Sequence, residues 1–172
     1  EHSSVQSFIA TRNGNIVGTI SAINNRNHVR FHEENVGFFG FFECIDDEDV
    51  AYNLLEVAKN WLKDQGLHKM RGPVSFSTND PCGLLIDGFD HPPSIMMTYN
   101  PRYYERFLTL FEFKKAKDLL SFKAILSQET PAIFKKLADN VSNDPTIKIR
   151  QINMRRFDEE VMKIHEIYND AW

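Results

Sequence analysis

The run Val36-Gly37-Phe38-Phe39-Gly40-Phe41-Phe42-Glu43-Cys44-Ile45 decides the fold. At the two-residue period of a strand, Val36, Phe38, Phe42 and Cys44 share one face, and Phe39, Phe41, Glu43 and Ile45 share the other. Both faces are apolar, so the strand belongs inside a sheet covered on both sides. Its two glycines mark a bulge, or a place where another group comes close to the backbone.

Upstream, residues 5–12 and 16–24 are β-type runs flanking Asn13-Gly14, which predicts a hairpin. Residues 24–35 are polar and predict a loop. His28 and His32 lie four apart there, but no third metal ligand stands near them. Downstream, residues 46–65 predict a helix with an apolar stripe of Val50, Leu54, Leu55, Val57, Ala58, Trp61 and Leu62. Four consecutive acids, Asp46 to Asp49, suit its N-terminus, and Gly66 suits its end. Residues 70–78 predict a further strand, 79–97 a turn cluster and long loop, and Asn100-Pro101 the opening of a second helix. A strand over 119–126 and a helix from Thr130-Pro131 to about residue 141 follow. An extended stretch over 147–153 and a helix over 155–172 end the chain. The whole predicts an α+β fold with a mixed, mostly antiparallel sheet flanked by helices.

Composition narrows the function. The chain has 172 residues, enough for one domain or slightly more. A formal charge of −4 disfavours nucleic acid as a partner, because phosphate binding needs a basic surface. There is no span-length apolar run and no signal pattern, so a cytoplasmic protein with no membrane partner is expected. The two cysteines, Cys44 and Cys82, are far apart, which fits a reducing compartment. A start at Glu1 and a stop at Trp172 inside a helical pattern read as a piece of a longer protein.

The element order, with a Phe-rich strand feeding straight into a helix, resembles the acyl-CoA N-acyltransferase (acetyltransferase-like) superfamily entered at its second strand. The run from Val36 to Asp47, Gly72-Pro73, residues 76–80 with Cys82-Gly83, and Tyr99-Asn100-Pro101 with Tyr103-Tyr104 resemble bacterial proteins carrying two such domains in tandem. The resemblance implies transfer of an acyl group from acetyl-CoA or another acyl-CoA to a small-molecule amine. It divides the chain into a first domain over 1–126 lacking its first elements, a linking helix and turn over 127–146, and the start of a second domain over 147–172.

Such domains hold the coenzyme's pyrophosphate on a glycine-containing turn at a helix N-terminus. This chain has Glu43-Cys44-Ile45-Asp46-Asp47-Glu48-Asp49 there. The acyl-CoA is therefore expected on the second domain, with this one shaping the acceptor site. A non-catalytic copy serving dimerisation or scaffolding, as in a homodimer, is the alternative.

By the same resemblance, Glu43 at the strand end is the candidate general base, and a helix-flanking acid otherwise. Tyr104 is the candidate acid, although the family's tyrosine position falls on Leu108. Candidate substrate-binding residues are Ser77, Thr78, Asn79 and Asp80 at a strand end, and Tyr99, Asn100 and Tyr103 beyond the long loop. Turn, capping and core duties would explain the same residues. Cys82 with His91 is the remaining nucleophile–base arrangement, and turn cysteines are usually inert.

Overall fold

Asn13 and Gly14 both take left-handed backbone angles, φ 52° and 81°, as a tight hairpin between twisted strands requires. The hairpin joins β1 (Ser3–Arg12) to β2 (Asn15–Asn25). The structure is a computed structural model that describes residues 2–77, 79–123 and 129–171. The chain divides into two units, Glu1–Leu120 and Ser121–Trp172.

In the first unit, β2 leads into a short helix α1 (Arg26–His32), where a loop is expected from the sequence. The Asn25 side chain accepts a hydrogen bond from the His28 amide, Glu33 closes the far end in a left-handed conformation, and the His28 ring meets Phe38 edge-on at 4.8 Å. A capping asparagine and one packed ring outweigh a polar composition. β3 (Val36–Cys44), α2 (Glu48–Asp64) and β4 (Lys69–Arg71) follow. The sheet order is β1-β2-β3-β4, antiparallel except for the β3–β4 pair. The fold is thus α+β with a mixed sheet, and β3 lies in its interior. α2 begins at Glu48, with Asp47 as its cap, so only Glu48 and Asp49 of the four acids lie in its first turn.

α2 buries Val50, Ala51, Leu54, Leu55, Ala58 and Leu62 against Ile20, Ala22, Phe39, Phe42 and Cys44. Ile23, Val36, Phe38 and Val74 form a second cluster. This corrects the assignment of faces along β3: Phe42 and Cys44 pack with Phe39 and not with Val36 and Phe38. Thr19 pairs with Glu43 while Ser21 pairs with Gly40, so β3 carries one extra residue between them. One extra residue flips every later side chain to the other face. Phe41, at φ 49°, sits in that bulge.

β4 stops at Arg71, well short of the strand expected over 70–78. Pro73 has no N–H to continue a ladder. The chain instead doubles back over residues 73–83: Val74 and Cys82 bridge, the Ser75 amide bonds to the Pro81 carbonyl, and the Gly83 amide bonds to that of Pro73. This hairpin-like loop presses on β3, since a Cβ on Gly40 would lie 2.2 Å from the Val74 oxygen. α3 (Tyr104–Leu110) closes the unit. Of the strand expected over 119–126, residues 119–123 have no regular structure and 124–126 lie outside the described residues.

The second unit holds α4 (Ala132–Asn143), a single 3-10 turn at Met154–Arg156, and α5 (Phe157–Ala171). Residues 147–153 are not a strand. An extended segment becomes a strand by pairing, and no described residue pairs with it. Arg150 grips the buried Glu160 with both guanidinium arms, at 2.8 and 3.0 Å, which fixes the segment to α5.

Candidate functional site

Beyond Phe38, no described residue pairs as a strand with β3 on its β4 side. The carbonyl of Phe39 accepts from the Val74 amide at 2.7 Å. Further along, α3 takes over. The Tyr103 hydroxyl donates to the Cys44 carbonyl at 2.9 Å, and the Cys44 amide donates to the Tyr104 hydroxyl at 2.8 Å. Two side chains thus do what a neighbouring strand would do for one residue's backbone. Glu43 and Ile45 have their amides on the β2 side, where Ile45 donates to the Val17 carbonyl.

The Tyr104 hydroxyl then donates to Glu43 Oε2 at 2.9 Å. Three of the residues singled out from the sequence, Glu43, Tyr103 and Tyr104, therefore meet at the open end of β3. Glu43 is exposed, whereas Tyr104 is buried against Phe42 and Phe107. Burial, with Glu43 adding to it, pushes the Tyr104 hydroxyl's pKa well above the ordinary tyrosine value. Burial also raises that of Tyr103, helped by Asp46. Both stay protonated at neutral pH and act as hydrogen-bond donors. The Cys44 thiol, pushed up to about 11 chiefly by burial, is held as an inert thiol.

The other candidates sit elsewhere. Ser77 and Asp80 bond to each other at 2.7 Å, and the Asn79 amide donates to Ser77 Oγ at 3.1 Å, all within the tip of the 73–83 loop. Thr78 lies outside the described residues. Asn100 is buried and pins the long loop: its Oδ1 accepts from the Leu85 amide at 2.8 Å, and its Nδ2 donates to the Leu85 and Pro101 carbonyls. Tyr99 is half-exposed, with its hydroxyl on the Phe89 carbonyl at 3.1 Å. Burial holds the Cys82 thiol's pKa above its usual value.

The sequence gives no hint of the two arginines that temper the acids beside this site. Arg106 bonds Asp46 at 2.6 Å and Glu48 at 3.2 Å, and Arg12 bonds Asp47 at 2.7 Å. Arg12 lies in the sequence far from Asp47, and only the hairpin fold brings it close. Asp47 Oδ1 also accepts the Val50 amide at 3.1 Å, so the N-terminus of α2 is capped by its own chain. Arg12, with the Val50 amide, holds the Asp47 carboxyl below its usual range. Among the described residues, no group of three or more His, Cys, Asp or Glu side chains is placed to hold a metal ion.

No known protein family matches the chain, and no solved structure does. Two known proteins match along its whole length. One is Protein YghO of Escherichia coli (strain K12), 38% identical, of which the chain covers 44%. The other is the bacterial ceramide synthase of Caulobacter vibrioides (strain NA1000 / CB15N), 35% identical, of which it covers 45%. The chain thus spans less than half the length of these relatives, and among its described residues no helix is long and apolar enough to cross a membrane.

Proposed function

We propose that this chain is part of an N-acyltransferase that acylates the amine of a lipid, and that the open end of β3 is its acceptor side. The observation that carries the reading is the Tyr104–Glu43 hydrogen bond, which aims an exposed carboxylate from a stretch of β3 that no described strand pairs on its β4 side. Similarity to a protein named a ceramide synthase supports it, because a ceramide is the amide of a fatty acid and a long-chain amine. The acetyltransferase-like order of elements supports it as well.

Glu43 takes the proton that the amine must lose to become nucleophilic. Tyr104 holds the carboxylate in place. Its hydroxyl is occupied twice, by the Cys44 amide and by Glu43, so it acts by positioning. The N-terminus of α2 does not fit a coenzyme pyrophosphate: Asp47 caps it, and Glu48 and Asp49 fill its first turn. We therefore assign the acyl-CoA to a second acetyltransferase-like domain beginning near residue 147, and no step here runs through it.

The test uses the intact protein, a long-chain primary amine and an acyl-CoA, with amide formation followed by mass spectrometry. Glu43→Gln should slow the reaction at saturating amine by about 10²–10⁴-fold, with thermal stability retained. An unchanged rate would refute the base role. A second reading, a non-catalytic copy used for scaffolding or dimerisation, draws on the closed N-terminus of α2. It requires that Glu43→Gln leave the rate alone.

A further inference from the structure

Among the described residues, six without glycine's freedom hold a positive φ. Asn13, Glu33 and Glu112 do so at a hairpin turn and two helix ends, where such angles are ordinary, and Met96, at 65°, does so in the turn closed by the Met97 amide on the Ser94 carbonyl. Phe41 at 49° and Phe76 at 76° are different, since a bulky side chain in this conformation is an outlier. Their rings lie edge to face, 4.8 Å between centroids, and remain 44% and 52% exposed. Neither ring is needed to fill a core.

At Phe41 the strained backbone is held from two sides. The Thr19 hydroxyl donates to the Phe41 carbonyl at 3.1 Å, and the Phe41 amide donates to Ser75 Oγ at 3.4 Å. Gly40 stands next door and is used for the close approach of Val74, while the left-handed place itself carries phenylalanine. Two residues thus accept a disfavoured conformation in order to present a joined aromatic surface to solvent. Strain held in place by its surroundings is a mark of function.

What lies beside that surface narrows the ligand. After the bulge, residues 41, 43 and 45 are exposed while 42 and 44 are buried, so Phe41 and Glu43 emerge on the same side. Asp46 to Asp49 follow Glu43, and Arg12 and Arg106 offset only part of this negative charge. An apolar shelf next to an acidic patch is complementary to an amphiphile with a cationic head and a hydrocarbon tail.

We infer that Phe41 and Phe76 form the subsite for the hydrocarbon chain of the acceptor amine, with its amino head at Glu43. The pair then determines specificity for chain length. This rests on the N-acyltransfer reading for what happens at the head, though not for binding of the tail.

The experiment measures binding of butylamine, octylamine and dodecylamine to the intact protein by calorimetry, below their micellar concentrations. Affinity should climb with chain length, by roughly twofold to fourfold per methylene that leaves water. In Phe41→Gly and Phe76→Gly the climb should flatten, with dodecylamine losing at least about tenfold and butylamine unchanged. Phe41→Leu should keep most of it. Melting temperature is read alongside, and both glycine variants should match or exceed the parent, because glycine relieves the strain. An unaltered chain-length dependence in both glycine variants would overturn the subsite, and so would a sharp fall in their stability, which would make the rings structural. If Glu43→Gln leaves acyl transfer intact while the glycine variants lose the climb, the base assignment fails and the subsite stands. The reverse pattern separates them the other way.

Discussion

The two ends of β3 obey different rules. At Val36 to Phe38 the strand is paired on one edge with Lys69 to Arg71 of β4, and from Phe38 with β2 on the other. Leu62 packs so close there that a Cβ on Gly37 would meet it at 2.4 Å. From Phe41 onward, among the described residues, side chains hold one edge: Ser75, Tyr103 and Tyr104 supply the partners. Backbone groups must be satisfied either way. Where a strand satisfies them, nothing else fits in; where tyrosines do, a hydroxyl is left over to reach a carboxylate. The polar side chains collect where the sheet stops being a sheet.

Two phenylalanines two positions apart give the sharpest contrast. Phe39 is fully buried, with Phe42 and Phe113 around its ring. Phe39→Ala should cost about 3–5 kcal/mol, measured by chemical denaturation, whereas Phe41→Gly should cost nothing. Equal losses at the two positions would dissolve the distinction between a closed and an open end.

The tyrosines come next. Tyr104→Phe removes the acceptor of a buried amide and should destabilise by about 1–3 kcal/mol. Tyr103→Phe takes one donor from a carbonyl that has two lone pairs, and should cost about 0.5–1.5 kcal/mol. A double-mutant cycle between Tyr104→Phe and Glu43→Gln should show coupling, while Tyr103→Phe with Glu43→Gln should show little. Coupling of equal size in both cycles would mean that α3 moves as a whole and that Tyr104 has no special hold on Glu43.

Much of the closed end was legible in the sequence. Alternating apolar residues placed β3 inside a mixed sheet, Asn13-Gly14 placed the hairpin, and the apolar stripe placed α2. The open end was legible only in part. Gly37 and Gly40 raised the prospect of a bulge, but not its position, so Phe42 and Cys44 were expected on the wrong face. Backbone angles at Phe41 and Phe76 leave no mark on residue type, because phenylalanine is not what a left-handed position selects. Asn100 reads from the sequence as a helix opener or a substrate contact, and its buried amide holding Leu85 depends on a loop whose path no local rule dictates. Glu43 and Tyr104 were each singled out alone; their hydrogen bond links residues 61 positions apart.

The smallest expected effect lies at the junction between the two ends, where Asp47 starts α2. Its carboxylate accepts from Arg12 and from the Val50 amide, and both favour the charged form. The folded-state pKa is therefore depressed below the unfolded value of about 3.9. A group shifted downward stabilises the fold above its unfolded pKa and loses that contribution as pH falls through the folded one. Asp47→Asn should accordingly melt slightly below the parent at pH 7, by less than Tyr103→Phe does, since the pair is open to solvent and screened. The gap should close as pH falls below the unfolded carboxylate value of about 3.9, and added salt should narrow it at pH 7. Because the amide side chain still caps the helix, what closes is the charge contribution and not the cap. A gap that stayed constant down to pH 2 would show that Arg12 contributes nothing there, and that the acids of this turn act on the site alone.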